Sequence, residues 1–236
     1  HIKKDEKILE IGPGTGVLTS ALLKADAEVI AVEKDDRAYS LLWERFKKEI
    51  ASGTLALHRG DILEADPKKC GLSNGNFAVV ANIPYYITGA ILKLFLEGEP
   101  RPNRMVLLVQ KEVAERIVAR DGKESLLSIS VKAFGIPKLV QKVPRGAFNP
   151  PPTVDSAVLT IENISDGKFV KKSLEIRRFF EILKAGFAHK RKYAKRNLET
   201  VLGVERLNEI WRNFDLDEKI RAEDVALDQW FDIACE

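Results

Sequence analysis

The stretch that most limits what this chain can fold into is Lys7-Ile8-Leu9-Glu10-Ile11, followed at once by Gly12-Pro13-Gly14-Thr15-Gly16 and the helical pattern Val17, Leu18, Ala21, Leu22. The apolar run reads as a buried strand, and a second run, Glu28 to Val32, starts one helix-length later. Strands that alternate with helices in this way imply an open α/β sheet. Glycines between strand and helix let the backbone pass close to a ligand and aim its amides at it, although they equally make a plain structural turn. The spacing is G-x-G-x-G, not the G-x-G-x-x-G of the dinucleotide fingerprint.

Glu33 ends the second strand, where a carboxylate can accept bonds from both hydroxyls of a ribose; the alternative is a surface acid in a charged turn. Asp35-Asp36 then offers a cap to a helix expected to run to about Ile50, with Leu42, Phe46 and Ile50 on one apolar side. Thr54 to His58 reads as a third strand, followed by Gly60-Asp61-Ile62. Asp61 can take the exocyclic amine of an adenine while Ile62 lies against the ring, or Asp61 can serve only as a turn former.

Phe77-Ala78-Val79-Val80 reads as a further buried strand and delivers Ala81-Asn82-Ile83-Pro84-Tyr85-Tyr86-Ile87-Thr88 at its carboxyl end, where an open α/β sheet places its chemistry. A neutral amide, a rigid turn and two aromatic rings suit a planar, hydrogen-bonding group such as a nucleobase. The structural alternative is an ordinary turn in which Pro84 fixes φ and the tyrosines pack on neighbours.

Downstream, Arg104 to Gln110 reads as a strand, Lys111 to Arg120 as an amphipathic helix and Leu139 to Val143 as a strand. The stiff Pro150-Pro151-Pro152 run follows Phe148 and precedes the alternating strand Ser156 to Ile161. Near Asp166-Gly167 strand signals give way to helical ones, so the expected domains are an α/β unit over 1–165 and a helical unit over 166–236. In the second unit His189-Lys190-Arg191-Lys192-Tyr193-Ala194-Lys195-Arg196 gathers five cations and a tyrosine. On a helix these would form a phosphate-binding ridge, or else a solvated basic helix end.

Overall charge does not announce a nucleic-acid binder, because 38 Lys+Arg against 35 Asp+Glu gives only +3. Any such signal must lie in clustering. Cys70 and Cys235 lie far apart and beside no histidine-rich motif, which predicts neither a metal site nor a disulfide framework and fits a reducing cytoplasm. The longest uncharged stretch, Gly71 to Leu92, carries Asn74, Asn76, Asn82 and Pro84 and is a poor membrane span. The sequence starts without a methionine and enters a strand almost at once, so a preceding segment is expected.

The glycine loop is similar to motif I of the S-adenosylmethionine-dependent methyltransferases. Four separated stretches in fixed order, Glu10 to Gly16, Asn82 to Thr88, Gln110 to Arg116 and Phe148 to Val158, resemble the ribosomal RNA adenine N6-dimethyltransferase family, as does the basic segment Phe187 to Lys192. Ile83 and Tyr86 stand where the usual small-subunit motif has Leu and often Asn, and the family's N-terminal Gln-Asn/His-Phe-Leu segment is absent from this sequence. The resemblance implies the Rossmann-like sheet of a class I S-adenosylmethionine-dependent methyltransferase with a small all-helical C-terminal domain. It further implies dimethylation of two adjacent adenosines in the 3′-terminal hairpin of small-subunit (16S) RNA, on that RNA or a small ribosomal subunit in assembly. Nothing in the sequence requires more than a monomer. The alternatives it leaves are the macrolide-resistance methyltransferases of large-subunit RNA and a binding protein of the mitochondrial transcription-factor type. Carried over by position, it places Glu10, Gly12, Gly14, Glu33, Lys34, Asp61, Ile62 and Asn82 at the cofactor. It sets Asn82, Tyr85 and Phe148 around the target base, and Lys190, Arg191, Lys192, Lys195 and Arg196 on RNA. No metal is implied.

Overall fold

The computed structural model describes residues 2–236. The described chain divides into two compact units, one made of residues up to 114 and 136–165, the other of residues 115–135 and 166–236.

In the first unit, strands β1 (Lys7–Ile11), β2 (Glu28–Glu33), β3 (Leu55–Arg59), β4 (Phe77–Asn82), β5 (Arg104–Gln110), β6 (Ile136–Val143) and β7 (Ser156–Glu162) form one sheet in the order β3-β2-β1-β4-β5-β7-β6. The first five run parallel, and β7 lies antiparallel between β5 and β6. This is the expected Rossmann-like sheet. Its centre is apolar because it is covered on both faces: Ile8, Val29, Phe77, Ala78 and Val79 are fully buried, and near-continuous apolar runs are what a parallel sheet requires. Ile8 pairs with Val29 on one side and Ala78 on the other, which makes β1 the point where strand order reverses and where ligands of open α/β sheets bind. At the far edge β6 is mostly exposed and carries an irregularity between Leu139 and Gln141, a feature that blunts edge-to-edge pairing.

Helix α1 (Val17–Lys24) follows the glycine loop, and α2 (Asp36–Arg45) is capped by Asp35, whose Oδ1 accepts from the Ala38 amide at 2.8 Å. The single helix expected up to Ile50 is instead broken at Phe46, with α3 (Lys47–Ser52) beyond it. The cause is packing. A Cβ on Gly16 would meet the Phe46 ring at 2.6 Å and Leu42 at 2.9 Å, so Phe46 turns in against the glycine loop and the backbone bends to allow it. Arg45 completes the contact by donating from Nη1 to the Thr15 carbonyl at 2.5 Å. Helix α4 (Thr88–Glu97) covers the sheet with Ile91, Leu92, Phe95 and Leu96.

The division into units differs from the sequence expectation in one respect. Residues 115–135, which the sequence reading placed with the α/β part, belong to the helical unit, and the boundary falls within α5 (Lys111–Val118). The reason is visible after α6 (Leu126–Lys132), where Phe134 packs against Phe169 and Phe180 at ring-centroid distances of 5.0 and 6.2 Å. The remaining helices are α7 (Gly167–Lys172), α8 (Ile176–Gly186), α9 (Ala194–Leu202), α10 (Val204–Asn213) and α11 (Leu227–Cys235). Their core is aromatic: Phe169, Phe179 and Phe231 stand 4.6 to 5.3 Å from one another. Among the described residues no helix is long and apolar enough to cross a membrane.

Close approach of α8 and α11 depends on Gly186, since a Cβ there would lie 2.2 Å from the Trp230 ring. Gly186→Ala is expected to destabilise the helical unit by about 1–3 kcal/mol through overpacking, read as a lowered urea midpoint followed by tryptophan fluorescence. An unchanged midpoint would show that Trp230 can shift freely.

Candidate active site at the carboxyl edge of the sheet

Gly12 and Gly14 have φ of +64° and +56°, a region that costs side-chain-bearing L-residues about 1 kcal/mol or more. A Cβ on Gly12 would meet nothing within 4 Å, so the loop faces open space and is built to let something approach its backbone. The Gly12 amide donates to Val32 O at 3.0 Å, stitching the loop to β2. Glu33, buried at the end of β2, holds the next glycine of the loop: its Oε2 accepts from the Gly14 amide at 2.9 Å and its Oε1 from the Asp35 amide at 2.8 Å. An ionised carboxylate has about four acceptor positions, so one lone pair remains on each oriented oxygen.

Glu10 is more unusual. It is 1% exposed, and both its oxygens and the Thr19 hydroxyl are buried without a hydrogen-bond partner. Burial pushes its pKa from 4.5 up to about 7; the Thr19 hydroxyl and amide oppose the shift without reaching hydrogen-bond geometry, and Glu33 adds to it. An unpaired charge enclosed in this way is costly.

The β3 end joins the same edge, since the Gly60 amide donates to Glu33 O at 2.9 Å. Asp61 Oδ1 accepts from the Leu63 amide at 2.9 Å, and Oδ2 from Lys34 Nζ at 2.7 Å. Asp61 is therefore a turn former and a member of an ion pair at once. The pair faces water: Lys34 is 75% and Asp61 20% exposed by side chain, and the hydrogen bond between them lowers the Asp61 pKa and raises that of Lys34. Ile62 is buried beside them.

At the end of β4, Asn82 is exposed and its side chain makes no hydrogen bond among the described residues, while Ile83 beside it is buried. Tyr85–Ile87 form a 3-10 turn in which Ile87 N donates to Pro84 O at 3.1 Å and Thr88 Oγ1 to Tyr85 O at 3.0 Å. The Tyr85 ring is half-buried, its phenol 2.7 Å from Ser156 Oγ; Tyr86, 88% exposed, points to solvent. Phe148 is half-buried in the connection from β6 to β7. Val143 and Gln110 both pair with Ser156, so this connection opens on the same sheet edge as Asn82. The contacts of Arg45 with Thr15, of Phe46 with Gly16 and of Ser156 with Tyr85 join residues far apart in sequence, and no local pattern marks them.

In the helical unit the basic segment is not a helical ridge. His189 to Lys192 form a turn between α8 and α9, and only Ala194 onward is helical. Asn197 imposes this by donating from Nδ2 to Gly186 O at 2.6 Å and His189 O at 3.2 Å, satisfying carbonyls that a continuing helix would have used. Lys190, Arg191 and Lys192 are exposed and carry no ion pair among the described residues. By contrast Lys195 binds both Glu218 oxygens at 2.7 and 2.8 Å above the Trp211 ring, and Arg196 binds Glu199 at 3.0 Å.

The family model described as ribosomal RNA adenine dimethylase matches residues 1–236. The chain belongs to this family. Among relatives of the ribosomal RNA adenine dimethylases, a protein of Dehalococcoides mccartyi named ribosomal RNA small subunit methyltransferase A is 39% identical over 231 residues, covering 97% of this chain and 78% of its own length. A protein of the same name from Fusobacterium nucleatum is 36% identical, with 99% and 87% covered. Among solved structures, a dimethyladenosine transferase from Plasmodium falciparum superposes with a TM-score of 0.81 at 26% identity, covering 98% of this chain and 90% of that one. The 23S rRNA methyltransferase ErmE gives 0.74 at 25% identity, covering 99% and 91%. This dimethylase is thus an S-adenosylmethionine-dependent enzyme of α/β fold.

The buried carboxylate has a pH signature. Folding holds the Glu10 proton to higher pH than the unfolded chain does, so its contribution is most favourable below 4.5 and is lost as pH rises through about 7. Between pH 5 and pH 8 the stability of Glu10→Gln relative to the parent is expected to improve by on the order of 2–3 kcal/mol, measured by urea unfolding without cofactor. A pH-independent difference would mean that Glu10 is not desolvated.

Proposed function

We propose that the chain transfers methyl groups from S-adenosylmethionine to N6 of two adjacent adenosines near the 3′ end of small-subunit ribosomal RNA. The observation that carries this reading is the turn at the end of β4, where an unpaired Asn82 amide and a tethered Tyr85 ring stand beside a glycine loop backed by Glu33 and Glu10. The small-subunit assignment is supported by relatives of that name at 36 to 39% identity over nearly the whole chain.

The residues present fit the cofactor. Gly12 and Gly14 leave room for its amino-acid end, the buried Glu10 carboxylate suits its ammonium group, and Glu33 keeps one lone pair per oxygen for the ribose hydroxyls. Asp61 would take the adenine amine, with Lys34 and Ile62 beside the ring. When bound, the cofactor supplies an electrophilic methyl on a sulfonium.

The exocyclic nitrogen of adenine is a weak nucleophile because its lone pair is delocalised, so alignment contributes more than a strong base. Asn82 Oδ1 and a main-chain carbonyl of the turn accept the N6 protons and draw nitrogen toward tetrahedral geometry, freeing its lone pair. For each methyl gained N6 loses one proton, which passes from this hydrogen bond to water. The base must leave its stack to get there, and Tyr85 and Phe148 replace the lost stacking with about 1–3 kcal/mol each. Lys190, Arg191 and Lys192 bind phosphates, whereas Lys195 and Arg196 are already paired and contribute less. All of these groups lie in one chain, so a monomer suffices, and a cytoplasmic location accords with a ribosomal RNA substrate.

The deciding experiment transfers labelled methyl to small ribosomal subunits lacking the modification, with large-subunit RNA in parallel. About four methyls per small subunit is the expected result, from two dimethyladenosines; label confined to large-subunit RNA overturns the assignment. Asn82→Ala should retain cofactor binding and lose methyl transfer by at least about a hundredfold, while a matching loss of cofactor affinity would remove Asn82 from the base site. Replacing Lys190, Arg191 and Lys192 together by Ala should flatten the salt dependence of RNA binding by about one unit of slope per lost contact. The Lys195→Ala, Arg196→Ala pair should change it less, and equal slopes for all three proteins would exclude the turn from RNA contact.

A further inference from the structure

Ser156 is fully buried at the first position of β7, flanked by Gln110 of β5 and Val143 of β6. A buried hydroxyl in a strand contributes nothing that a methyl would not, and it costs desolvation unless it is bonded. The hydroxyl of Ser156 has its partner across β5, in the phenol of Tyr85 at 2.7 Å. Seventy-one residues separate the two in sequence.

The other end of Tyr85 is held as well. Its carbonyl accepts from Thr88 Oγ1 at 3.0 Å, and Pro84 before it fixes the approach of the chain. The ring cannot turn about χ1 without breaking the hydrogen bond at its para oxygen, so its half-buried orientation is fixed. The exposed Tyr86 next to it has no side-chain hydrogen bond among the described residues.

We propose that Ser156 is a positioning residue for methyl transfer: its hydroxyl holds the Tyr85 ring in the orientation in which the flipped adenine stacks. The proposal rests on the reading of the turn after β4 as the target-base pocket. Ordering the ring before the base arrives removes a rotamer cost that would otherwise be met on binding, and it keeps N6 over the Asn82 amide within the narrow tolerance that alignment demands. The effect belongs to the step in which the base is oriented, so it is read in turnover and not in cofactor affinity.

The test is a double-mutant cycle in the full chain, with Ser156→Ala, Tyr85→Phe and the double variant, each assayed for kcat, KM for RNA, cofactor affinity and unfolding midpoint. Either single change should lower kcat about three- to tenfold with cofactor affinity unchanged, and the double variant should be no worse than the poorer single one. Ser156→Thr, which keeps the hydroxyl on a side chain suited to strands, should restore most of the loss. RNA carrying 2-aminopurine at the target position should show weaker fluorescence quenching with Ser156→Ala than with the parent protein.

Additive losses, or a lowered midpoint with kcat and quenching intact, would overturn the proposal and leave the bond a purely structural one. Tyr85→Ala separates this outcome from failure of the underlying reading. If it methylates normally, the base pocket lies elsewhere and the role of Ser156 falls with it. If it abolishes transfer while Ser156→Ala and Tyr85→Phe are silent, the pocket stands and only the tether is refuted.

Discussion

The carboxylate of Glu33 is the interaction on which the site depends. It sits buried at the end of β2, and by accepting from the amides of Gly14 and Asp35 it fixes both the glycine loop and the start of α2. The Glu33 carbonyl, taking the Gly60 amide, draws in the chain after β3 as well. One residue thus sets the relative positions of three loops at a single sheet edge. The loop is gripped from the far side by α2, through Arg45 on the Thr15 carbonyl and Phe46 against Gly16. With the loop held between these two supports, its amides are oriented before any ligand arrives, so little ordering remains to oppose binding.

Two acids at this edge illustrate how environment divides similar side chains. Asp61 faces water, binds Lys34 and is held below its ordinary pKa. Glu10 is enclosed, lacks a partner and is pushed up to about 7. A solvent-facing pair adds little to stability because water screens it, whereas an enclosed acid carries a penalty that only a complementary charge relieves. Glu10 stands in the second position from the end of β1, immediately before the glycine loop.

The helical unit is organised on different terms. Phe169, Phe179 and Phe231 form its centre, and Phe134 joins them from the segment before β6. That ring is why residues 115–135 fall outside the α/β unit although they lie between two of its strands in sequence. Asn197 closes α8 and exposes the basic turn, so Lys190, Arg191 and Lys192 project from a loop while Lys195 and Arg196 are taken up by Glu218 and Glu199. Equal charges in one short stretch come to differ in availability because acids brought in from elsewhere neutralise some of them.

What the sequence by itself determined is local: the strand, glycine loop and helix at the start, the strand ends that carry Glu33 and Asn82, and the cap at Asp35. These follow from apolar periodicity and from glycine and proline geometry, which act over a few residues and need no partner. Tertiary structure alone decided the break at Phe46, the transfer of residues 115–135 to the helical unit, the turn at the basic segment, and the bonds of Lys34 to Asp61 and Tyr85 to Ser156. Each depends on a contact beyond the reach of local periodicity, from 8 residues away for Asn197 and His189 to 71 for Tyr85 and Ser156. A contact of that kind outweighs local propensity by burying a ring or satisfying a polar group, and it leaves no periodic trace in the chain.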